Sequence, residues 1–158
     1  MVIELEPIGY VRSSRTDLSD DYWGAQAATI ELVDSISADA LEGLTGFSHV
    51  EVLFYFDQVA RERIEFAARR PRNNPNWPRV GIFAQRGKNR PNRLGSTIAQ
   101  IQGVDGRRLR LSELDAVDGT PIIDLKPVMS EFLPHDEVRH PDWSHELMQA
   151  YWSTPNEH

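Results

Sequence analysis

Apolar and polar positions alternate in short bursts along the chain, separated by stretches rich in proline, glycine, asparagine and aspartate. Alternation with a period of two marks a half-buried strand. Its strongest instance is residues 49–56 (HVEVLFYF), which puts Val50, Val52, Phe54 and Phe56 on one face and is built of β-branched and aromatic types. Residues 7–12, entered through Pro7, and residues 28–33 predict two earlier strands. Residues 80–84 (VGIFA) predict a short apolar strand. Residues 96–104 and 107–114 predict a hairpin around Asp105 and Gly106, a strong turn dipeptide. Residues 121–126 predict a last strand, with Asp124 and Lys126 on one face opposite Ile123 and Leu125, either as an ion pair or as a polar lining.

Helical signals are few. Ser37 is a fitting N-cap for a short helix over 38–44 that ends near Gly46. Trp143, Leu147 and Tyr151 stand at helical spacing and predict a C-terminal helix over 143–152. Residues 13–22 read as a polar loop, 59–68 as either helix or strand, and 71–78, with Pro71, Pro75 and Pro78 among three asparagines, as a stiff loop. These elements predict a mainly β fold: one small, closed or nearly closed barrel of about seven strands, rather than a β-α-β sheet. Residues 1–158 form a single domain in this reading, with 128–158 as a tail, helical in part, packed on the barrel.

Composition narrows the classes. A chain of 158 residues, 40% hydrophobic, suits one domain with one core. No run of 18 apolar residues predicts a membrane span, and the N-terminal segment has neither the basic region nor the apolar core of an export signal, so the expected location is cytoplasmic. The absence of cysteine excludes disulfides, thiolate nucleophiles and Cys-ligated metal. There is no GxGxxG after a strand, no P-loop and no GxSxG elbow. His49, His135, His140, His145 and His158 make no HExxH pair or other ligand set, so no metal is expected. His49 fits a structural hydrogen-bonding role at a strand start.

Charge is unevenly spread. The net charge is −7, yet residues 69–93 hold 8 of the 17 basic residues and no acid, leaving −15 on the rest of the chain. A run of guanidinium groups without compensating acids reads as an anion site, against the alternative of a solvated loop. Within it, residues 86–93 (RGKNRPNR) combine Arg86, Lys88, Arg90 and Arg93 with Asn92, whose amide can both donate and accept, and with Pro91, which stiffens the loop. Asp115 and Asp118 stand three apart around a turn. One carboxylate there could accept from a ribose hydroxyl pair or a cationic amine, and Asp118 could equally close an Asx-turn. Asp57 and Gln58 end the aromatic strand, where barrel-mouth residues meet ligands. Trp23, beside Gly24, could stack on an adenine or belong to the core.

Four segments, in order, resemble one family. Residues 8–13 (IGYVRS) match an I-G-x-[IV]-x-[ST] strand, and 43–49 (GLTGFSH) a GLxxFSH segment before an apolar strand. Residues 81–92 (GIFAQRGKNRPN) match G-[VI]-F-A-x-R-x-x-x-R-P-N, and 114–127 (LDAVDGTPIIDLKP) match L-D-x-x-D-G-T-P-x-x-D-[IL]-K-P. On these the chain resembles the TrmO/TsaA-like family, also called YaeB-like, from about residue 7 to 129. The resemblance implies a compact β-barrel that binds S-adenosylmethionine, pairs as a homodimer and methylates N6 of N6-threonylcarbamoyladenosine beside the anticodon of certain tRNAs.

Carried position by position, it implies a cofactor shell of Trp23, Gly24, Asp57, Gln58, Arg86, Ser96, Asp115, Asp118, Gly119, Thr120 and Pro121. The loop with Lys88, Arg90, Asn92 and Arg93 would lie beside it, toward RNA. Asp57 and Asp118 are the candidate proton acceptors. The chain departs from the family pattern where many members have Pro-Arg-Gln (here residues 23–26, WGAQ), Phe-His (here Phe56 and Asp57) and RSxxRPNPIG (here RGKNRPNRLG, residues 86–95). An Asp in place of a His favours a cationic ligand group. By this resemblance, the extra C-terminal domain of longer tRNA-modifying members is not expected within residues 1–158. Two other functions share the same cofactor site: methylation of a small-molecule or other non-tRNA substrate, and non-catalytic S-adenosylmethionine binding.

Overall fold

The computed structural model of the chain describes residues 1–155. Six antiparallel strands close into a barrel in the order β1-β2-β7-β6-β3-β8 and back to β1. They are β1 (Gly9–Arg12), β2 (Ala27–Leu32), β3 (His49–Tyr55), β6 (Leu94–Asp105), β7 (Arg108–Ser112) and β8 (Pro121–Pro127). Outside it, β4 (Ala68–Arg69) and β5 (Val80–Gly81) pair as a two-residue ribbon. Closure removes sheet edges, and the pleat then sorts side chains strictly into an inner and an outer set. In β3 the inner set is Val50, Val52 and Phe54, as the alternation predicts. Val11, Ile30, Ala99, Leu109, Leu111, Leu114 and Ile122 meet them in one core.

The expected seventh barrel strand is not there. Only Val80–Gly81 of residues 80–84 is extended, and Ile82–Ala84 is a 3-10 turn. The buried Gln85 amide explains the break: its Nε2 donates to the carbonyls of both Arg69 and Val80, at 3.1 Å each, and ties the ribbon into a side lobe. In β8 a bulge leaves Ile123 unpaired, because Leu53 faces Asp124 while Phe54 faces Ile122. Ile122, not Ile123, therefore fills the core, while Leu125 keeps its inward place. Asp124 and Lys126 do share the outer face and pair at 3.2 Å. Ser37 caps its turn as expected, its Oγ accepting from the Asp39 N–H, but the element is a 3-10 turn over Ala38–Leu41.

The C-terminal helix is shorter than its apolar spacing predicts. Helix α1 covers Asp142–Met148, and Tyr151 leaves the Trp143–Leu147 stripe because residues 150–153 run alongside 22–24 in backbone pairing. The expected tail over 128–158 includes 156–158, which lie outside the described residues. No helix among the described residues is long and apolar enough to cross a membrane.

Gly95 shows how tightly the barrel mouth is filled. A Cβ there would lie 2.5 Å from Cε2 of the fully buried Phe54 and 2.9 Å from Cζ of Phe56. The fully buried Phe54 ring already meets Phe56 edge to face at 5.3 Å, so it can yield only by displacing its neighbours. Gly95→Ala is expected to cost about 1–3 kcal/mol through overpacking, read as a lower urea midpoint with unchanged m-value.

Candidate functional site

Antiparallel register decides which loops meet. Tyr55 pairs with Leu94, Ser112 with both Ala27 and Gln100, Arg12 with Thr29, and Tyr10 with Pro121. The ends of β1, β3 and β7 and the starts of β2, β6 and β8 therefore share one rim. Every residue of the candidate cofactor shell lies on a loop or strand end at that rim: Trp23 and Gly24 before β2, Asp57 and Gln58 after β3, Arg86 and Ser96 about the start of β6, and Asp115 to Pro121 between β7 and β8.

Asp115 is the hub. The Thr97 hydroxyl donates to its Oδ1 and the Tyr151 hydroxyl to its Oδ2. Burial, and then the Asp115 charge, push the Tyr151 pKa well above the ordinary tyrosine value, while the charge of Arg86 opposes them. Tyr151 is thus a firm proton donor in this contact. Arg86 is exposed, and its Nη2 donates to the Ser96 carbonyl at 2.6 Å. Among the described residues, the other two nitrogens of its fork make no hydrogen bond.

Trp23 is only 5% exposed, and the Arg15 guanidinium lies 3.4 Å from its ring centroid. Arg15 in turn donates to the carbonyls of Tyr22 (2.7 Å), Asp21 (2.9 Å) and Ser19 (3.0 Å), which shapes loop 13–22 around one side chain. Desolvation lowers its pKa, with Asp17, Tyr151 and Asp115 acting in the opposite direction.

The two candidate proton acceptors differ. Asp118 Oδ1 accepts from the Ser13 N–H at 3.0 Å, and the Asp118 N–H donates to the Arg15 carbonyl at 2.8 Å. Its carboxylate stitches the turn to the end of β1, a cross-loop bond in place of an Asx-turn. Gly119 donates to the Val11 carbonyl, and the buried Thr120 hydroxyl to the Val117 carbonyl at 2.7 Å, so this turn is architecture as much as site. Asp57 is exposed beside Gln58, and among the described residues its carboxylate takes no hydrogen bond or ion pair.

The basic window is more occupied than its composition suggests. Arg72 makes a bidentate pair with Asp21, at 2.9 and 3.1 Å, and approaches Asp20 at 3.7 Å, so the acids missing from residues 69–93 come from the loop across the rim. Arg70 donates to the Trp77 carbonyl, Arg90 to Gln85 (2.8 Å), and Arg93 to Val59 (2.9 Å) with its guanidinium over the Tyr55 ring. Among the described residues, Lys88 and the exposed Asn92 carry no such bond.

Arg15, Thr97 and Tyr151 escaped the sequence reading. Arg15 is a single cation in a polar loop and gives no signal. Tyr151 had one, since residues 151–155 (YWSTP) combine extended-favouring types with a proline. His49 is bonded at Nδ1 to Ser48 Oγ, 2.7 Å, as a structural partner. No group of three or more His, Asp or Glu among the described residues could hold a metal. A groove of about 730 Å³ beside the rim, between Ser13, Thr29, Gln102 and Arg110, opens along the outer wall.

A closed six-stranded barrel with carboxylates, a guanidinium and strand-end loops gathered on one rim defines a small β-barrel with a polar mouth. Comparison with known proteins makes the class specific. The chain belongs to the tRNA-methyltransferase O N-terminal domain family, whose model matches residues 18–132. RcsF of Pseudomonas aeruginosa is 38% identical over 133 residues, which cover 80% of this chain and 57% of RcsF. The tRNA (adenine(37)-N6)-methyltransferase of Escherichia coli is 41% identical over 103 residues, 61% of this chain and 43% of the enzyme. The crystal structure of TrmO from P. aeruginosa superposes with a TM-score of 0.73 at 31% identity, covering 90% of this chain and 62% of that one. The chain thus spans about half the length of the curated relatives it matches.

Proposed function

We propose that the protein is an S-adenosylmethionine-dependent methyltransferase that acts on tRNA, at N6 of N6-threonylcarbamoyladenosine beside the anticodon. One observation carries the reading: the rim assembles a guanidinium with a free edge (Arg86), a carboxylate already holding two hydroxyl donors (Asp115) and an unengaged carboxylate (Asp57). That set suits the polar ends of the cofactor, with Arg86 for its carboxylate and Asp115 for ribose hydroxyls, and it leaves Asp57 for the acceptor. When bound, S-adenosylmethionine supplies an electrophilic methyl group. The protein's own part is to align the acceptor nitrogen and exclude water. The Asp57 carboxylate, without a partner among the described residues, is the group that takes the acceptor's proton, whereas Asp118 is committed to Ser13.

Lys88, Arg90, Asn92 and Arg93 supply the RNA-facing loop in this reading. A homodimer would join two such loops into one track, and the setting is cytoplasmic. The second reading, a non-tRNA acceptor, is favoured by the number of guanidiniums in the basic window already bonded to the chain itself.

Calorimetric titration with S-adenosylmethionine is expected to show saturable binding at or below about 100 μM, roughly −5.5 kcal/mol, with none for ATP. Methyl transfer to tRNA carrying threonylcarbamoyladenosine, through binding that weakens steeply with salt, then supports the first reading. Transfer without salt-sensitive tRNA binding supports the second. Absence of cofactor binding overturns both.

A further inference from the structure

Beyond α1 the chain turns back over the rim. The Tyr22 N–H donates to the Ala150 carbonyl at 3.1 Å, the Trp23 N–H to Tyr151 at 2.7 Å and the Gly24 N–H to Ser153 at 3.3 Å. The two segments lie so close at Gly24 that a Cβ there would collide with the Trp152 carbonyl. From this strap the Tyr151 side chain reaches into the rim and donates to Asp115 Oδ2, while Thr97 holds Oδ1. Trp23 is covered as well: one ring face meets the Arg15 guanidinium and the side chain is almost fully buried. Three members of the candidate cofactor shell, Trp23, Gly24 and Asp115, therefore face the protein itself.

We propose that residues 150–153 form a built-in strap that holds the cofactor site closed, with the Tyr151 hydroxyl standing on Asp115 in place of a ribose hydroxyl, and that cofactor binding displaces it. The inference rests on the cofactor reading above and adds the regulation of that site. The exchange replaces like with like, since each state has a hydroxyl donating to the same carboxylate oxygen. The strap also has a fixed base. Trp77 Nε1 donates to Glu146 Oε2 at 2.8 Å, which holds α1 on loop 71–78, and Arg72 holds that loop to Asp21. Residues past the exposed Gln149 can then swing while α1 stays docked. A closed resting state raises the apparent dissociation constant by the inverse of the open fraction, so weakening the latch tightens binding.

The test compares S-adenosylmethionine binding by the full chain, by Tyr151→Phe and by a chain ending at Gln149, with amide hydrogen exchange at Tyr22, Trp23 and Gly24 read with and without the cofactor. The expected result is binding about threefold or more tighter in both variants, and faster exchange of those three amides when the cofactor binds the full chain. Unchanged or weaker binding by Tyr151→Phe, with the amides more protected in the complex, overturns the proposal and makes the strap a wall of the pocket. If the full chain and both variants all fail to bind, the cofactor reading itself falls and takes the strap's role with it. Tyr151→Phe removes one hydroxyl from a part-buried ring, so it keeps the comparison available should the shortened chain not fold.

Discussion

Replacing Asp115 by alanine is expected to lower stability by about 2–4 kcal/mol and to abolish measurable S-adenosylmethionine binding. Two hydroxyls, those of Thr97 and Tyr151, end on this one carboxylate. An orphaned buried donor costs about 1–3 kcal/mol. Thr97 is buried in β6 and only 8% exposed, so it recovers little of its share from water. Tyr151 can recover part of its loss by leaving with the strap. Urea unfolding reads the stability, and Asp115→Asn, which keeps one carbonyl acceptor, is expected to lose less. A midpoint equal to that of the unaltered protein would remove Asp115 from the centre of the rim. The Tyr151 contact itself is robust to ordinary pH. Its folded pKa lies above the ordinary value of 10.0, so its contribution is complete below about pH 10 and is lost only as pH rises through the raised value.

The rim was legible in the sequence because its residues lie in motifs that end or begin strands. The alternation over residues 49–56 fixes the inner face of β3, and antiparallel closure then brings residues 57–58, 86–96 and 115–121 to one end of the barrel. What escaped is set by tertiary packing. The bulge at Ile123 depends on how β8 must fit β3, and an alternating pattern contains no sign of it. Residues 80–84 have the apolar run of a strand, yet the buried Gln85 amide fastens them to Arg69 and Val80 outside the barrel. Tyr151 keeps helical spacing with Trp143 and Leu147, and the backbone of residues 22–24 competes for its segment and wins. The basic window misled in a similar way: composition counts charges, whereas Arg72 shows that the balancing acids can arrive from a loop 51 residues away.

Arg86→Ala is expected to weaken S-adenosylmethionine binding at least tenfold while leaving stability within about 0.5 kcal/mol of the unaltered protein. The stability half follows from exposure: Arg86 lies at the surface and lends one nitrogen to the Ser96 carbonyl and hydroxyl, and surface changes of this kind stay within about ±0.5 kcal/mol. The binding half follows from the free edge of the fork. Hydrogen bonds to a charged group contribute about 1.5–3 kcal/mol, which is roughly ten- to 150-fold in affinity. Arg86→Lys keeps the charge and loses the planar fork, so it is expected to fall between the two. Calorimetry on the three proteins decides the matter. A dissociation constant for Arg86→Ala equal to that of the unaltered protein would take Arg86 out of the cofactor shell and shift the anion-binding role to Lys88, on the same loop, whose ammonium has no partner among the described residues.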